Sequence, residues 1–172
     1  IDMKKNEYSE AEILLSHFDI AGTTLTADAL FCKRDFIELV LKKGADYCIP
    51  VKDNCKLTKR AIAAVFDTDF DQAKVFDYEA ELDHGRIEQR QVRVLPGRAL
   101  PQEILSRWGG LDEGCIVQCR SSREDKKSAE VSTQTRYCIT SKRWDEKDIE
   151  RVIAETIRYH RRIENTLHRN AD

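Results

Sequence analysis

Two carboxylates stand where their neighbours could put them to chemical use. Asp28 follows the β-branched run Thr23-Thr24-Leu25-Thr26-Ala27, bounded by Gly22, so it lies at the C-terminal end of an expected strand. In open α/β sheets the strand C-termini border the ligand crevice, which makes a carboxylate there a candidate for metal or phosphate chemistry. The same position equally suits a turn or helix cap. Glu164 sits in the run Ile157-Arg158-Tyr159-His160-Arg161-Arg162-Ile163-Glu164-Asn165-Thr166-Leu167-His168. Steps of three and four residues from it reach His160, Arg161 and His168, placing it on one helix flank with groups that can be cationic. That grouping could serve a metal or a phosphate, while on these residues alone the plainer reading is a surface Glu held by pairs with Arg161 and His168.

The elements that must position these residues follow from periodicity. From Asp145 onward, Ile149, Val152, Ile153, Ile157, Ile163 and Leu167 recur at threes and fours, which predicts one long helix with a continuous buried stripe. Ser9 to Phe18 is expected as a short helix with Ser9 as N-cap and Glu12 completing a capping box. The strand ending at Asp28 is followed by a helix over Arg34 to Lys43, stopped by Gly44, and by a second strand, Asp46 to Val51. This is a βαβ unit with parallel strands, in which Pro50 points to an edge or a strand end. Lys52 and Asn54 then share a rim with Asp28. A helix over Leu57 to Phe66 completes this part.

After Asp67 the period changes to two. Val75 to Leu82 and Arg86 to Leu95 are expected as a hairpin turning through Asp83-His84-Gly85, with room for a bulge in the second strand. A short helix over Gln102 to Trp108 precedes two further strands, Cys115 to Cys119 and Val131 to Thr140, separated by the charged turn Arg123 to Lys127.

A chain of 172 residues suits a single domain. Charged residues make up 35%, yet the net charge is -2 and the pI about 6.2, so there is no global basic field and any DNA contact must come from local patches. No apolar run approaches the ~20 residues that cross a bilayer, and the expected compartment is the cytoplasm. The six cysteines form no C-x-x-C pair and are expected as reduced core thiols.

The order of motifs resembles the DDE transposases of bacterial insertion sequences, in the branch called H-repeat-associated transposases. The resemblance rests on Leu25-Thr26-Ala27-Asp28-Ala29-Leu30, Lys43-Gly44-Ala45-Asp46-Tyr47, Lys52-Asp53-Asn54, His84-Gly85-Arg86-Ile87-Glu88-Gln89-Arg90, Thr135-Arg136-Tyr137-Cys138-Ile139-Thr140-Ser141 and Arg162-Ile163-Glu164-Asn165-Thr166-Leu167-His168. It implies a partial α/β core of the ribonuclease-H-like, retroviral-integrase-like kind. Residues 1–66 and 142–172 would form the core, and a β-rich insertion, 67–141, would precede the C-terminal catalytic helix. Asp28 matches the second catalytic Asp and Glu164 the catalytic Glu, both as ligands to two Mg2+ or Mn2+ ions. Such ions sit ~4 Å apart and drive DNA cleavage and strand transfer by phosphoryl transfer. Lys52, Asn54, His84, Arg86, Arg90, Arg161, Asn165 and His168 are the expected DNA contacts. DNA at transposon ends is the implied partner, with homo-oligomers when the protein is complete and a nucleoid-associated bacterial setting.

The departures carry expectations too. The family's first catalytic Asp lies on a three-stranded ribbon upstream of the Ser9 helix, and Ile1 to Lys5 is at most that ribbon's tail. Arg161-Arg162 replace a customary Trp-Gly. The chain is therefore expected to be N-terminally incomplete and inactive alone, with an open edge on the Thr23 to Ala27 strand that invites association. The alternative is a catalytically inactive remnant that binds DNA or a full-length transposase. A small α/β protein using its cysteines for metal or redox work is a third reading.

Overall fold

The computed structural model describes residues 3–83, 86–126, 128 and 130–169, with side chains for all of these except 3–8, 70, 83, 86 and 164–169. The strands are β1 (Thr24–Thr26), β2 (Asp46–Val51), β3 (Lys74–Asp77), β4 (Glu81–Asp83), β5 (Arg86–Pro96), β6 (Cys115–Asp125) and β7 (Val131–Thr140). The helices are α1 (Met3–Ser16), α2 (Arg34–Lys42), α3 (Lys56–Thr68), α4 (Gln102–Leu105) and α5 (Ile149–Arg169). All seven strands join one mixed sheet in the order β1-β2-β7-β6-β5-β3, with β4 also on β5. β1 and β2 are parallel and every other pairing is antiparallel.

Alternation along the strands builds two cores. Tyr47, Ile49, Val51, Leu95, Ile116 and Ile139 face α2 and α3 and pack with Phe36, Ile37, Val40, Ile62 and Phe66. Val92, Val94, Val117, Cys119 and Cys138 face the other way, against Ile149, Ile153 and Ala154 of α5. Two buried polar side chains of the first core are paired: Tyr47 Oη donates to Gly109 O at 2.9 Å and Trp108 Nε1 to Thr58 Oγ1 at 3.1 Å. Gly97 is needed where the end of β5 meets the loop before β6, because a Cβ there would lie 1.9 Å from the Leu111 carbonyl oxygen.

The expected βαβ unit is present, and Gly44 at φ 72° terminates α2. Pro50, however, lies in a strand flanked on both sides. Hydrogen bonding along β2 alternates: Asp46 N donates to Thr23 O, while Tyr47 N donates to Ser141 Oγ on the β7 side. Continuing that alternation turns the Pro50 nitrogen toward β1 but past Thr26, where β1 pairing has ended, so no ladder bond is lost.

Four boundaries differ from the sequence expectations. Ser9 is not an N-cap: α1 already runs from Met3, because Met3-Lys4-Lys5-Asn6-Glu7 contains no breaker and continues the helix upstream of the apparent capping box. Residues 3–5 are accordingly helical and not the tail of a strand. The bulge falls in the first strand of the hairpin, not the second. Asp77 pairs with Gln91 and Glu81 with Glu88, so residues 78–80 oppose only 89–90, while β5 pairs residue for residue with β6. The β6 strand continues to Asp125, because Arg123 and Glu124 are cross-strand neighbours of β5 and β7 and not part of a turn. The α5 stripe is buried only in its first half: Ile149 and Ile153 are fully covered, but Ile163 is 57% exposed. Leu167 lies outside the residues with described side chains. No helix among the described residues is long and apolar enough to cross a membrane.

Candidate active site

The parallel pairing of β1 and β2 brings their C-terminal ends to one rim. Asp28 leaves β1 and caps the single 3-10 turn Ala29–Phe31, its Oδ1 accepting from the Ala29 amide. Lys52 leaves β2, and its Nζ lies 3.3 Å from the same Oδ1. Both contacts fall on one oxygen, so Oδ2 stays open among the described residues. Both side chains are more than half exposed, so the pair contributes little to stability and is easily exchanged for a ligand. Asn54 Nδ2 donates to Ala29 O at 2.7 Å, which braces the turn after Asp28.

The other wall comes from α5 and β7. Across the sheet, α5 passes from β3 and β5 to β1 and β2, with His160 Nδ1 and Thr26 Oγ1 3.1 Å apart where it reaches β1. A cavity forms between helix and sheet. Its rim holds Asp28, Lys52, Arg136, His160 and Arg161, and its floor holds Cys48, Cys119 and Cys138. Burial pushes the Cys48 thiol up to about 12. Cys138 is also raised, by its hydrogen bond with Cys119 and by burial, while that bond and the Arg161 and Arg136 guanidiniums hold Cys119 below its ordinary value. Among the described residues the rim sets three basic side chains, Lys52, Arg136 and Arg161, against one carboxylate, Asp28. Such a cleft attracts an anion, and focused positive potential draws polyanions to it.

The sequence-derived residues divide three ways. Asp28, Lys52 and Arg161 meet at this cavity. Arg90 does not: its Nε donates to Glu88 Oε1 at 2.9 Å, and it lines a separate polar groove with Asp77, Gln91 and Arg120. His84 lies outside the described residues, as do the side chains of Arg86, Glu164, Asn165 and His168. Glu164 itself is on α5, four residues after His160 and seven after Ile157, both of which line the cavity. Sequence reasoning does not pick out Arg136 as a site residue. It stands within the motif Thr135-Arg136-Tyr137, but nothing in that spacing shows that β7 would lie directly beside β2.

Among the described residues no group of three or more His, Cys, Asp or Glu could hold a metal ion. The donor that is present fits a hard divalent cation: an exposed carboxylate with an open oxygen on a cleft rim.

Comparisons with known proteins agree with one another. A family model described as a transposase DDE domain matches residues 2–170. YncI of Escherichia coli O157:H7, provisionally named a transposase, is 32% identical over 172 residues, covering 97% of this chain and 42% of its own length. YhhI of Escherichia coli strain K12, provisionally named an H repeat-associated transposase, is 32% identical over 182 residues, covering 99% and 45%. YbfL of the same strain is 33% identical over 178 residues, again covering 99% and 45%. The chain thus spans less than half the length of these curated relatives. No solved structure matches it.

Proposed function

The chain belongs to the family of transposases with a DDE domain, and from that membership we propose that it supplies Asp28 and Glu164 to the catalytic centre of a transposase. The observation that carries this reading is the meeting at one cleft of a strand-end carboxylate and the α5 helix, joined through His160 and Thr26. A parallel β1–β2 pair with helices on both sheet faces supports a ribonuclease-H-like core. Residues 67–141 extend the sheet of that core as an insertion.

Asp28 and Glu164 are the residues that would hold divalent ions, which when bound activate the attacking oxygen and stabilise the leaving one. The chain's own cations do the rest of the positioning. Lys52, Arg136 and Arg161 offset phosphate charge at the cleft mouth, so a DNA strand can lie against α5 with its backbone toward Asp28. His160 orients the helix by its contact to Thr26. A phosphate in the cleft would draw Lys52 from its weak contact with Asp28, and the Asp28 carboxylate would then be free to hold a divalent ion. DNA is the partner this arrangement suits, and the assembled protein acts as an oligomer on paired ends.

The test is Mg2+-dependent strand cleavage by the intact protein on DNA carrying the ends of its element. Asp28→Asn and Glu164→Gln should each reduce cleavage by about a thousandfold or more while DNA binding persists. Cleavage unaffected by either substitution refutes the assignment. A wild-type protein that binds DNA and never cleaves it under any divalent ion would establish the non-catalytic alternative instead.

A further inference from the structure

We propose that Arg136 is a positioning residue that grips a backbone phosphate of the DNA beside Asp28, an inference that rests on the transposase reading above. The starting point is how the arginines and lysines on this side of the molecule are engaged. Arg90 and Arg123 both lie against Glu88, at 2.9 and 3.5 Å, Arg158 against Glu81 at 3.4 Å, and Lys52 against Asp28. Arg136 lines the same cavity as Asp28 and makes no ion pair or hydrogen bond among the described residues. Its side chain is exposed while its backbone is held on a central strand, opposite Cys119 of β6. The next residue, Tyr137, turns to the other face and stacks on Phe66 with ring centroids 6.4 Å apart. That anchor fixes which way Arg136 projects.

Register supplies a second, independent observation. β2 and β7 pair with Val51 opposite Tyr137. Lys52 follows Val51 and Arg136 precedes Tyr137 at that same end of the ladder, and both cations line the one cavity. Like charges so placed repel. The repulsion is removed when an anion sits between them, and a phosphate is the anion that a planar guanidinium holds with two parallel hydrogen bonds. Asp28 engages only Lys52 of the two, through Oδ1, which also accepts from the Ala29 amide, and among the described residues it makes no ion pair with Arg136. The geometry therefore leaves Arg136, on the sheet side of the cavity across from Arg161 of α5, to face the incoming backbone, with Lys52 shared between substrate and carboxylate.

The experiment measures binding of the intact protein to a fluorescein-labelled 30-base-pair duplex by anisotropy across a salt series. The electrostatic part of such binding is independent of sequence, and its salt slope counts the phosphates neutralised. Arg136→Ala should weaken binding about tenfold at low salt and reduce the slope by about 0.9. Arg136→Lys should keep the slope and recover only part of the affinity. Arg136→Gln is run beside them, so that a folding defect in one neutral variant leaves the other to decide. Arg107→Ala, an exposed arginine of the α4 side, should change neither quantity. If both neutral Arg136 variants keep wild-type affinity and slope while Lys52→Ala loses them, this inference fails and the transposase reading stands. If the wild-type protein itself shows no salt-dependent binding to DNA, both fail together.

Discussion

Replacing Ile153 by Ala should release α5 from the sheet, and with it the cavity wall that carries His160 and Arg161. Ile153 is 1% exposed, in a cluster with Val92, Val94, Val117, Cys119 and Cys138. The change removes three carbons, about 2.4 kcal/mol at ~0.8 kcal/mol each, and adds a cavity that the strands beneath cannot fill. A total cost of about 3 to 4 kcal/mol follows, since the sheet is paired on both sides at β6 and β7 and cannot collapse inward. For a chain of this size that corresponds to a fall in Tm of roughly 6 to 16 °C. Ile163→Ala on the same helix is the control: its side chain is 57% exposed, and its effect should stay within about 0.5 kcal/mol. Thermal unfolding by circular dichroism measures both. Native-state alkylation provides a second readout, because loosening α5 should uncover Cys119 and Cys138 before global unfolding. Equal effects at the two positions, or a fall below about 3 °C for Ile153→Ala, would refute the assignment of α5 docking to its N-terminal half.

Further predictions concern charge and backbone. The hydrogen bond from Arg90 to Glu88, aided by Arg123, holds the Glu88 carboxyl below its ordinary value of 4.5. A depressed folded value means stability that is fully present above about 4.5 and is lost as pH falls through the folded value. Glu88→Gln should therefore destabilise near neutrality by about 1 kcal/mol, with the gap to wild type closing in acid; a gap independent of pH in urea titrations would contradict the pairing. Gly97→Ala should cost about 3 kcal/mol or more, since its Cβ meets a backbone oxygen that no side-chain rotation can clear. Gly22→Ala, with open space around it and only its φ of 73° against it, should cost about 1 kcal/mol. Urea midpoints compare the two, and a reversed ranking would contradict the close approach at Gly97.

Local chemistry makes part of this fold legible from the residues alone. The run ending at Ala27, the α2 stripe stopped by Gly44 and the strand Asp46 to Val51 are signals written within a few residues, and each appears at its expected place. Asp28 is legible as a strand-end carboxylate for the same reason, along with its second character as a turn cap. What cannot be read is what depends on distant partners. That β7 lies beside β2, and so brings Arg136 to the same cavity as Lys52, follows from packing across more than eighty residues and leaves no periodic trace. The α1 start is hidden because Ser9 and Glu12 imitate a capping box inside a continuous helix. The apolar period of α5 continues through Ile163, but periodicity reports a face and not what covers it. Arg90 falls away from the cleft because its partner, Glu88, is two residues away on the same strand face, a pairing that alternation allows but does not require.

The central claim is that Asp28 and Glu164 act on one metal-dependent site. Mn2+ titration of the intact protein bound to DNA, followed by electron paramagnetic resonance, tests it most directly when run on wild type, Asp28→Asn, Glu164→Gln and the double variant. Two carboxylates sharing a site predict that each single change weakens Mn2+ binding and that the double change weakens it little further, because the effects of groups acting on one ion do not add. Mn2+ binding that survives both substitutions, or losses that simply add as for two separate sites, would contradict the account.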